Sequence, residues 1–413
     1  MKVQIVFFIL FISISLFSKV DLNEIIKQAQ PGSKIELPKG IFRGPIIIDK
    51  PLILEGFKQK SIIKGDGNGT VITILAPHVE IKNITIQDSG KQRYNLDSGI
   101  KVKNVKNITI KNCKIKQTLF GIIFHNTNNS KIVDNTIISY KEKVVDNRGD
   151  GIRLWGSNNN LIANNHLIKS RDLSLSRSNN NIVKNNIIKE SRYGIMADMS
   201  HDVNITSNKI TLNYAGIMVG NGKNINIKDN IIAKTLLSTG IGIMLKNGKN
   251  IHVSHNLITA NSQAFYIDSS PAEIGIQRYI DHNEVIRNNS AFHFHSVIKN
   301  NIIKNNNIIG NLEDVLIDSK GYKKYKNEIK ENYWDRYIGF DKDGDGISDV
   351  PYQVLIYADK LWQFDHHLKF FYATPLLSIV DFIERLAPFS EPVLLLEDTK
   401  PRREKNPNTK KVD

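Results

Sequence analysis

Cysteine and tryptophan are scarce in this chain: its 413 residues include one cysteine, Cys113, and three tryptophans. A single cysteine cannot form a disulfide within the chain, so a disulfide-stabilised scaffold is excluded. No CxxC or other compact motif for binding copper is present. Aromatic residues make up 8% of the chain, and Trp155 and Tyr266 are too sparse to build the aromatic groove of a sugar-binding protein.

The N-terminus carries an apolar run, residues 3–17, preceded by Lys2. The run is too short to span a bilayer and is typical of a secretory signal peptide, which we assign to residues 1–18. An uncleaved anchor is the alternative, because Leu16 is larger than the small residue preferred near a cleavage site. No cysteine follows the run, which argues against a lipoprotein. Export predicts a periplasmic location.

Basic residues are in excess: 56 Lys and Arg against 41 Asp and Glu give a formal net charge of +15. The lysines are scattered through polar turns, as between Lys101 and Lys114, and are not grouped with aromatic residues. A solvated surface explains this pattern better than nucleic-acid binding. We therefore predict no nucleic-acid partner.

A repeat of about 22 residues fills most of the chain. Residues 193–210 and 215–232 are two consecutive copies, in which apolar and polar residues alternate in short runs punctuated by Gly, Asn and Asp. Alternation predicts short strands with one buried face, and the punctuation interrupts any helical pattern. Each copy fits one coil of an all-β, parallel β-helix solenoid. Gly-Ile pairs align the copies at Gly99, Gly121, Gly151, Gly194, Gly216 and Gly242.

A column of asparagines also recurs once per copy. We interpret it as a structural ladder, since stacked Asn side chains at a corner can hydrogen-bond along the stack and tolerate a left-handed turn. Its predicted members are Asn112, Asn135, Asn165, Asn186, Asn208, Asn230, Asn256 and Asn283.

The pattern divides the mature chain into five parts. An N-terminal cap, residues 19–45, begins with a short helix that covers the open first coil. The β-helix itself occupies residues 46–330. Three further parts follow it: an extension with a calcium-type loop at 331–373, a helix and docking segment at 374–399, and a disordered tail at 400–413.

Two outward-facing columns follow each Gly-Ile pair, because strand side chains alternate between faces. The first column contains three consecutive methionines and ends in Tyr266 and His293; the second ends in Asp268 and His295. Thioether and imidazole groups are ligands for Cu(I). Ordinary apolar cover by a loop is the alternative, since methionine fills gaps well. The candidate copper ligands are Met196, Met218, Met244, Met199, His201, His293 and His295.

Acidic residues on these columns are poorly placed for glycoside hydrolysis, which needs two carboxyl groups within about 5–10 Å. Asp198 and Asp268 are three coils apart, or about 14 Å by the strand spacing. We therefore predict that the protein is not an enzyme and has no catalytic residues. A lyase that uses one base, an arginine and Ca²⁺ remains an alternative.

An acidic loop lies beyond the coils, in the sequence DKDGDGISD. Its aspartates occupy positions one, three, five and nine of a calcium loop, and Gly346 permits the turn. Position twelve is Tyr352 where an EF-hand has glutamate, so the loop is more similar to the DxDxDG loops of extracellular modules. An acidic turn neutralised by Lys342 is the alternative. The candidate Ca²⁺ ligands are Asp341, Asp343, Asp345 and Asp349.

Residues 374–384, TPLLSIVDFIE, predict a helix with a wide apolar stripe formed by Leu376, Ile379, Val380 and Ile383. Another apolar run follows it. The segment either packs across the last coil as a cap or docks on a membrane partner, and it is too short and interrupted to span a bilayer.

Taken together, the Asn/Ile coils, the segment NYWDRYIGFDKDGDGISDVPY and the segment PLLSIVDFIERLAPFSEPVLLLEDTKPR resemble the NosD family, periplasmic maturation factors of nitrous oxide reductase. The resemblance implies a right-handed β-helix that works with an ABC transporter, made of an ATPase and a permease, to build the copper-sulfur centre of the reductase. It also implies copper delivery by a chaperone and membrane association through the transporter, with residues 376–396 as the docking element.

A polysaccharide-binding or polysaccharide-cleaving β-helix is the alternative function. An aromatic and acidic groove on one stripe would distinguish it. The coils alone do not decide between these classes, because many carbohydrate-binding β-helices share them.

Overall fold

Most of the chain is described by the structure, a computed structural model. The described residues are 21–140, 142–235, 239–268, 277–295, 300–318, 327–356 and 393–409, with scattered positions between 374 and 386. The predicted signal peptide, residues 1–18, lies outside them.

Three long parallel sheets wind around a common core, as the right-handed parallel β-helix prediction requires, and neighbouring strands of each sheet come from successive coils. The strands of sheet 1 are Lys34–Leu37, Ile53–Gly56, Glu80–Lys82, Thr109–Lys111, Lys131–Val133, Leu161–Ala163, Ile182–Lys184, His201–Thr206, Lys223–Lys228, Lys249–Ser254, Arg278–Asp281, Asn301–Lys304 and Glu328–Lys330. The strands of sheet 2 are Gly40–Arg43, Ser61–Lys64, Ile84–Gln87, Lys114–Thr118, Thr136–Ser139, His166–Ile168, Ile187–Lys189, Lys209–Thr211, Ile231–Ala233, Leu257–Thr259, Glu284–Ile286, Asn307–Ile309 and Tyr333–Trp334. The strands of sheet 3 are Ile46–Ile48, Ile72–Ile74, Ser98–Lys103, Phe120–His125, Ile152–Trp155, Asp172–Ser176, Tyr193–Asp198, Ala215–Gly220, Ile241–Lys246, Gln263–Asp268, Ser290–Phe294 and Glu313–Ile317.

The core is a stack of aliphatic side chains. One example is Ile195, Ile217 and Ile243, which occupy the same register position in successive coils of sheet 3 and are fully buried. Because each coil repeats this inward position, the apolar interior runs the length of the solenoid. The solenoid begins at Lys34, so the predicted boundary at residue 46 is too late.

The asparagine ladder exists, but its register differs from the prediction by one residue at one end. Each ladder asparagine accepts, at its Oδ1, the backbone N–H and usually the Nδ2–H of the residue one coil earlier. Asn165, for example, donates to Asn186 Oδ1 at 2.9 Å and 3.0 Å. In the earliest of these coils Cys113 takes the ladder position, and its N–H donates to Asn135 Oδ1. The predicted member Asn112 stands one residue earlier and has a left-handed backbone, φ 49°.

The left-handed turn residue is therefore the neighbour of each ladder asparagine and not the ladder residue itself. Asn164, Asn185 and Ser207 hold φ values of 55–56° immediately before their ladder asparagines. Cys113 in the ladder is fully buried, and burial raises the pKa of its thiol to about 12. A thiol held protonated in this way is a poor metal ligand.

The N-terminal end is closed by a helix, Leu22–Gln28, as predicted. The Asp21 side chain accepts the N–H of Asn23 at the helix start, which satisfies one free backbone donor. Leu22 and Ile26 are buried against the first coil. A 3₁₀ turn, Val145–Asn147, lies in an insertion between coils.

The C-terminal end is closed by an antiparallel pair of strands, Tyr352–Ile356 and Val393–Asp398. Leu395 and Leu396 belong to the main core, and the carboxylate of Asp398 accepts Asn332 N–H, Asn332 Nδ2–H and Trp334 Nε1–H at 2.9–3.1 Å. The cap interpretation is therefore correct for this strand. The docking element inferred for residues 376–396 is wrong at Leu395 and Leu396, because the core buries both.

The predicted disordered tail is also partly wrong. Residues 400–409 pack on the last coils: Arg402 N–H donates to Asn332 O, and Asn406 N–H donates to Asn307 Oδ1 at 2.8 Å. The polar composition predicted disorder because these residues bury little apolar surface. They are instead ordered by polar contacts of their backbone. Residues 410–413 lie outside the described part of the chain.

Candidate functional site

The outward column of sheet 3 has the predicted register. Met196 pairs with Met218, Met218 with Met244, Met244 with Tyr266, and Tyr266 with His293. All three methionines are half-buried. The column is therefore a partly exposed strip of thioether groups that leads to an aromatic ring and an imidazole.

The seven candidate copper ligands do not form one coordination sphere. Met196 and His293 are four strand steps apart, or roughly 19 Å. Met199 lies in the turn after its strand and is exposed, and His201 begins a strand of sheet 1. The structure thus places the three methionines in a line. His293 and His295 lie beyond its last methionine, and Met199 and His201 lie beside its first.

A compact cluster, which we call the histidine end, consists of Tyr266, His293, His295 and Asp318. His293 Nε2 lies 2.9 Å from Asp318 Oδ1, and His295 Nδ1 lies 2.7 Å from Asp318 Oδ2. The Tyr266 ring lies 5.1 Å from the His293 ring and 5.5 Å from the His295 ring, centroid to centroid. His293 is 9% exposed, whereas the His295 side chain is 47% exposed. One imidazole is thus sheltered and the other open to solvent.

Charge in the histidine end centres on Asp318. Desolvation opposes ionisation of this carboxyl, but the hydrogen bond with His295 and the close contact with His293 outweigh it and lower its pKa. Burial and the nearby charges of Asp268 and Asp318 raise the pKa of Tyr266, so its hydroxyl stays protonated. The cluster therefore offers imidazole nitrogens beside one carboxylate.

Asp318 is not among the predicted ligands, although the repeat indicates its position. Ile317 pairs with Phe294, so Asp318 continues the second outward column, which runs from Asp268 through His295. Extending that column by one coil would have found it.

Loop cover, the alternative predicted for the methionines, occurs elsewhere on the same column. Ile123 is 1% exposed and packs with Phe120, beneath Leu96 and Tyr140. At this position the loops between coils fold over the outer face. The methionines belong to later coils and remain partly accessible.

The sequence pattern also did not identify two buried aspartates on adjacent coils, because they lie off the outward columns. Asp150 and Asp172 are 1% and 0% exposed. Arg171 Nε lies 2.9 Å from Asp150 Oδ1 and 3.4 Å from Asp172 Oδ2, and Arg192 Nε lies 3.2 Å from Asp172 Oδ1. Burial, followed by the charge of Asp172, raises the pKa of Asp150.

These contacts give the aspartate pair the features of a structural ion network. Ser174 Oγ donates to Asp150 Oδ2 at 2.9 Å, so arginines and a hydroxyl already contact the carboxylate oxygens. Arg192 Nη1 also lies 3.4 Å from Asp146 Oδ1, which ties the insertion at 142–148 to the sheet.

The acidic loop brings three of its four predicted ligands together. One carboxylate oxygen from each of Asp341, Asp343 and Asp345 lies within 4.8 Å of the others. Asp349 is not part of this group; its Oδ2 accepts the N–H of Lys342 at 2.7 Å. Desolvation opposes ionisation of Asp341, but the N–H groups of Gly346 and Gly344 outweigh it and lower its pKa. The alternating sequence predicted the convergence, and the tight turn redirected the last aspartate.

The predicted docking helix is described only in part. Ile379 and Ile383 are helical and 56% and 44% exposed, and Phe382 beside them is 61% exposed. Leu376 and Val380 lie outside the described residues.

The sequence model of the family described as "Periplasmic copper-binding protein (NosD)" matches residues 137–339. A protein from Stutzerimonas stutzeri, named a probable ABC transporter binding protein NosD, is 21% identical over 85% of this chain and 83% of its own length. The protein of the same name from Pseudomonas aeruginosa is 22% identical over 91% of each chain. The model and both relatives support a NosD-family β-helix protein.

The part of the chain that matches the NosD model, residues 137–339, contains the methionine column and the histidine end. These matches support a NosD-type periplasmic role linked to an ABC transporter system. Within the described residues, no helix has both the length and the apolar character needed to cross a membrane.

Solved structures match this chain at the level of fold. An exopolygalacturonase from Thermotoga maritima aligns with a TM-score of 0.52 and 11% identity, over 75% of this chain and 88% of its own. At this identity the likeness shows a shared β-helix and not a shared activity.

Proposed function

We propose that this protein is a periplasmic accessory factor that handles copper while the copper-sulfur centre of nitrous oxide reductase is assembled, together with an ABC transporter permease and ATPase and a copper chaperone. The family match supports the setting. The observation that carries the copper part is the aligned column Met196, Met218 and Met244, which ends in the histidine end. We propose no catalytic residues.

The methionine column suits transient binding of Cu(I). Thioethers are soft ligands that select Cu(I), and imidazole also binds copper. Successive methionines are about 4.8 Å apart at the backbone, so an ion held by two neighbours needs only a small displacement to reach the next pair. The partly buried strip also limits the access of water. Such a column would hold copper as cargo and release it at either end.

Changing Met196, Met218 and Met244 together to leucine should weaken Cu(I) binding about ten-fold or more. Leucine keeps the apolar volume, so the fold should persist. The measurement is competition for Cu(I) against a chromophoric chelator, comparing the mature wild-type protein with the triple variant. Met199→Leu, in the adjacent turn, tests separately whether that exposed candidate contributes to binding. Unchanged affinity in the triple variant would remove the column as a copper site.

The assembly role has its own test in the native organism. Nitrous oxide reductase purified after deletion of this gene should retain its electron-entry copper but lack the copper-sulfur centre and its activity. The measurement is activity and copper per subunit beside the wild type. Complementation with Ile379→Asp plus Ile383→Asp should leave the same deficit if the exposed helix docks on the permease. A fully active reductase after deletion would contradict the assembly role and favour the polysaccharide alternative.

A structural Ca²⁺ ion is the second proposed metal. Asp341, Asp343 and Asp345 supply converging hard oxygen ligands, the type that Ca²⁺ prefers. Ca²⁺ added to metal-free mature protein should raise its melting temperature, and Asp343→Asn should remove most of that rise. Equal melting temperatures with and without Ca²⁺ would refute the site.

A further inference from the structure

A band of positive charge lies on the outer face of sheet 3, in the coils that precede the methionine column. It spans four neighbouring strands, Ser98–Lys103, Phe120–His125, Ile152–Trp155 and Asp172–Ser176. The members of this band are far apart in the sequence, and the stacking of the coils brings them onto one surface. We call the following residues the basic face: Lys101, Lys103, Arg153, Trp155 and Arg177.

Trp155 holds two guanidinium groups at the centre of the basic face. The guanidinium carbons of Arg153 and Arg177 lie 5.5 Å and 5.7 Å from the centroid of its ring, within the range of a cation–π interaction. Arg153 also lies 5.9 Å from the ring of Phe120, which is buried. Trp155 itself remains 37% exposed. The aromatic rings therefore restrict both arginines before any partner binds, and the tryptophan stays accessible.

Acidic residues do little to offset this charge. The four strands have eight outward positions, and none of them is Asp or Glu; the positions outside the basic face hold Ile123, His125, Ser174 and Ser176. Lys103 and Arg177 are exposed and form no ion pair among the described residues. The basic face therefore keeps free cations at its surface.

The remaining two cations are only partly neutralised. Arg153 Nη1 lies 3.9 Å from Asp150 Oδ2, but the Asp150 side chain is 1% exposed, and Arg171 Nε approaches it more closely, at 2.9 Å. Burial, followed by the charge of Lys103, lowers the pKa of Lys101. Like charges thus already repel each other on this surface, as expected when no acid lies between them.

A tethered loop just before the first of these strands borders the basic face and carries a second exposed aromatic residue. Lys101 Nζ donates to Asn95 O at 2.7 Å, and Arg93 Nη2 donates to Arg148 O at 2.9 Å. Between these two anchors Tyr94 is 98% exposed. The loop is therefore held in place while its tyrosine faces solvent, which widens the surface that a partner can contact.

We propose that the basic face binds the acidic surface of a partner protein. Complementary charge selects a partner of negative sign, and guanidinium groups donate paired hydrogen bonds to carboxylates. Trp, Tyr and Arg are the residues that contribute most to binding at protein–protein interfaces. The single exposed indole of Trp155 is too little for a sugar-binding groove, so an acidic polysaccharide fits this face less well.

This inference does not rest on copper handling. The basic face contains no thioether and lies in coils before Met196. Two arginines fixed by an indole lose less freedom on binding than two free side chains, so the arrangement favours affinity for carboxylates over a diffuse attraction to any anion. A partner held here would leave the methionine column uncovered at its far end.

The test uses metal-free mature protein and two polyanions with equal numbers of carboxylates, poly-L-glutamate and polygalacturonate, with affinities from calorimetry at two salt concentrations. Wild type should bind poly-L-glutamate more tightly, and the affinity should fall as salt rises. Arg153→Gln combined with Arg177→Asn should weaken binding about ten-fold or more. The backbone should accept asparagine, because Asn104 and Asn126 hold the same turn position in earlier coils, with φ values of 56° and 49° against 48° for Arg177.

Two further variants separate a specific face from net charge. Lys131→Gln with Lys184→Gln removes the same charge from sheet 1, where both lysines are exposed, and should change the affinity by less than about two-fold. Trp155→Leu removes no charge but releases both guanidinium groups, and should weaken binding about three-fold or more. Circular dichroism checks that each variant is folded.

Three results would overturn the proposal. Equal losses in the arginine variant and the sheet 1 lysine variant would show that binding follows net charge alone. Wild-type affinity in the folded arginine variant would show that poly-L-glutamate binds elsewhere. Tighter binding of polygalacturonate than of poly-L-glutamate would assign the face to an acidic polysaccharide. None of these results depends on copper, so they leave the proposed function to its own tests.

Discussion

Replacing Asn186 with alanine is expected to lower the free energy of unfolding by roughly 3–5 kcal/mol. Asn186 is fully buried, and its Oδ1 accepts both the N–H and the Nδ2–H of Asn165. Its own Nδ2 donates to Ile162 O and to Asn208 Oδ1. Alanine leaves two buried donors without an acceptor, at about 1–3 kcal/mol each, and removes a donor from the next asparagine.

The measurement is the midpoint of urea unfolding, followed by far-ultraviolet circular dichroism. Native-state hydrogen exchange at Asn165 should show the local loss of protection. Asn185→Ala is the matched control, because Asn185 is exposed and left-handed; it should cost only about 1 kcal/mol for the turn. Equal losses in the two variants would show that the ladder contributes no more than turn preference.

Replacing Asp398 with alanine should open the C-terminal cap, at a local cost of roughly 3–5 kcal/mol. The substitution leaves Asn332 N–H and Trp334 Nε1–H buried without an acceptor, and each such donor costs about 1–3 kcal/mol. Asn332 Nδ2 also loses Asp398 as an acceptor but keeps Ile303 O and Lys330 O. Strand Val393–Asp398 should detach more often and uncover Trp334, which is 1% exposed. Tryptophan emission should shift to longer wavelength, and iodide should quench it more.

Glu397→Ala is the control for that variant. Glu397 is on the same strand but bonds only an exposed partner in the described structure, Gln353 Nε2 at 2.8 Å, so its loss should change little. Tryptophan emission that stays at the wild-type wavelength in the Asp398 variant would contradict the cap assignment.

The loss of stability caused by Asp398→Ala should also depend on pH. Burial raises the pKa of Asp398, although hydrogen bonds from Trp334 and Asn332 favour the ionised form. The folded protein therefore holds a proton that the unfolded chain releases, so this contribution to stability is full below the unfolded pKa of about 3.9 and declines as pH rises through the folded pKa. The difference in free energy of unfolding between the wild type and Asp398→Ala should therefore become smaller as the pH rises through that range.

The fold was predictable because its signal repeats. Alternating apolar residues and a period of about 22 residues, copied many times, specify strands, faces and stacking together, and the register of Met196, Met218 and Met244 followed directly. The ladder register was harder to read, because Asn112 and Cys113 are adjacent and only the hydrogen-bond geometry shows which one points inward.

The C-terminal cap and the buried pair Asp150 and Asp172 were less predictable for a different reason. The pairing of Tyr352–Ile356 with Val393–Asp398 joins segments with no shared repeat, and local patterns carry no information on such contacts. The Asp150 and Asp172 network likewise depends on arginines from neighbouring coils. Asp318, by contrast, was within reach, since it continues a column that the repeat defines.

The ladder also has an electrical direction. Every asparagine presents its C=O toward the preceding coil and an N–H toward the following one, as Asn186 does between Asn165 and Asn208. The amide dipoles therefore add along the solenoid axis, with the positive end at the last coil, as peptide dipoles add toward the N-terminus of a helix. The final acceptor is a carboxylate, Asp398, and not another amide. Its ionised form places negative charge at that positive end, so the side chain that closes the last coil also neutralises the dipole of the whole ladder.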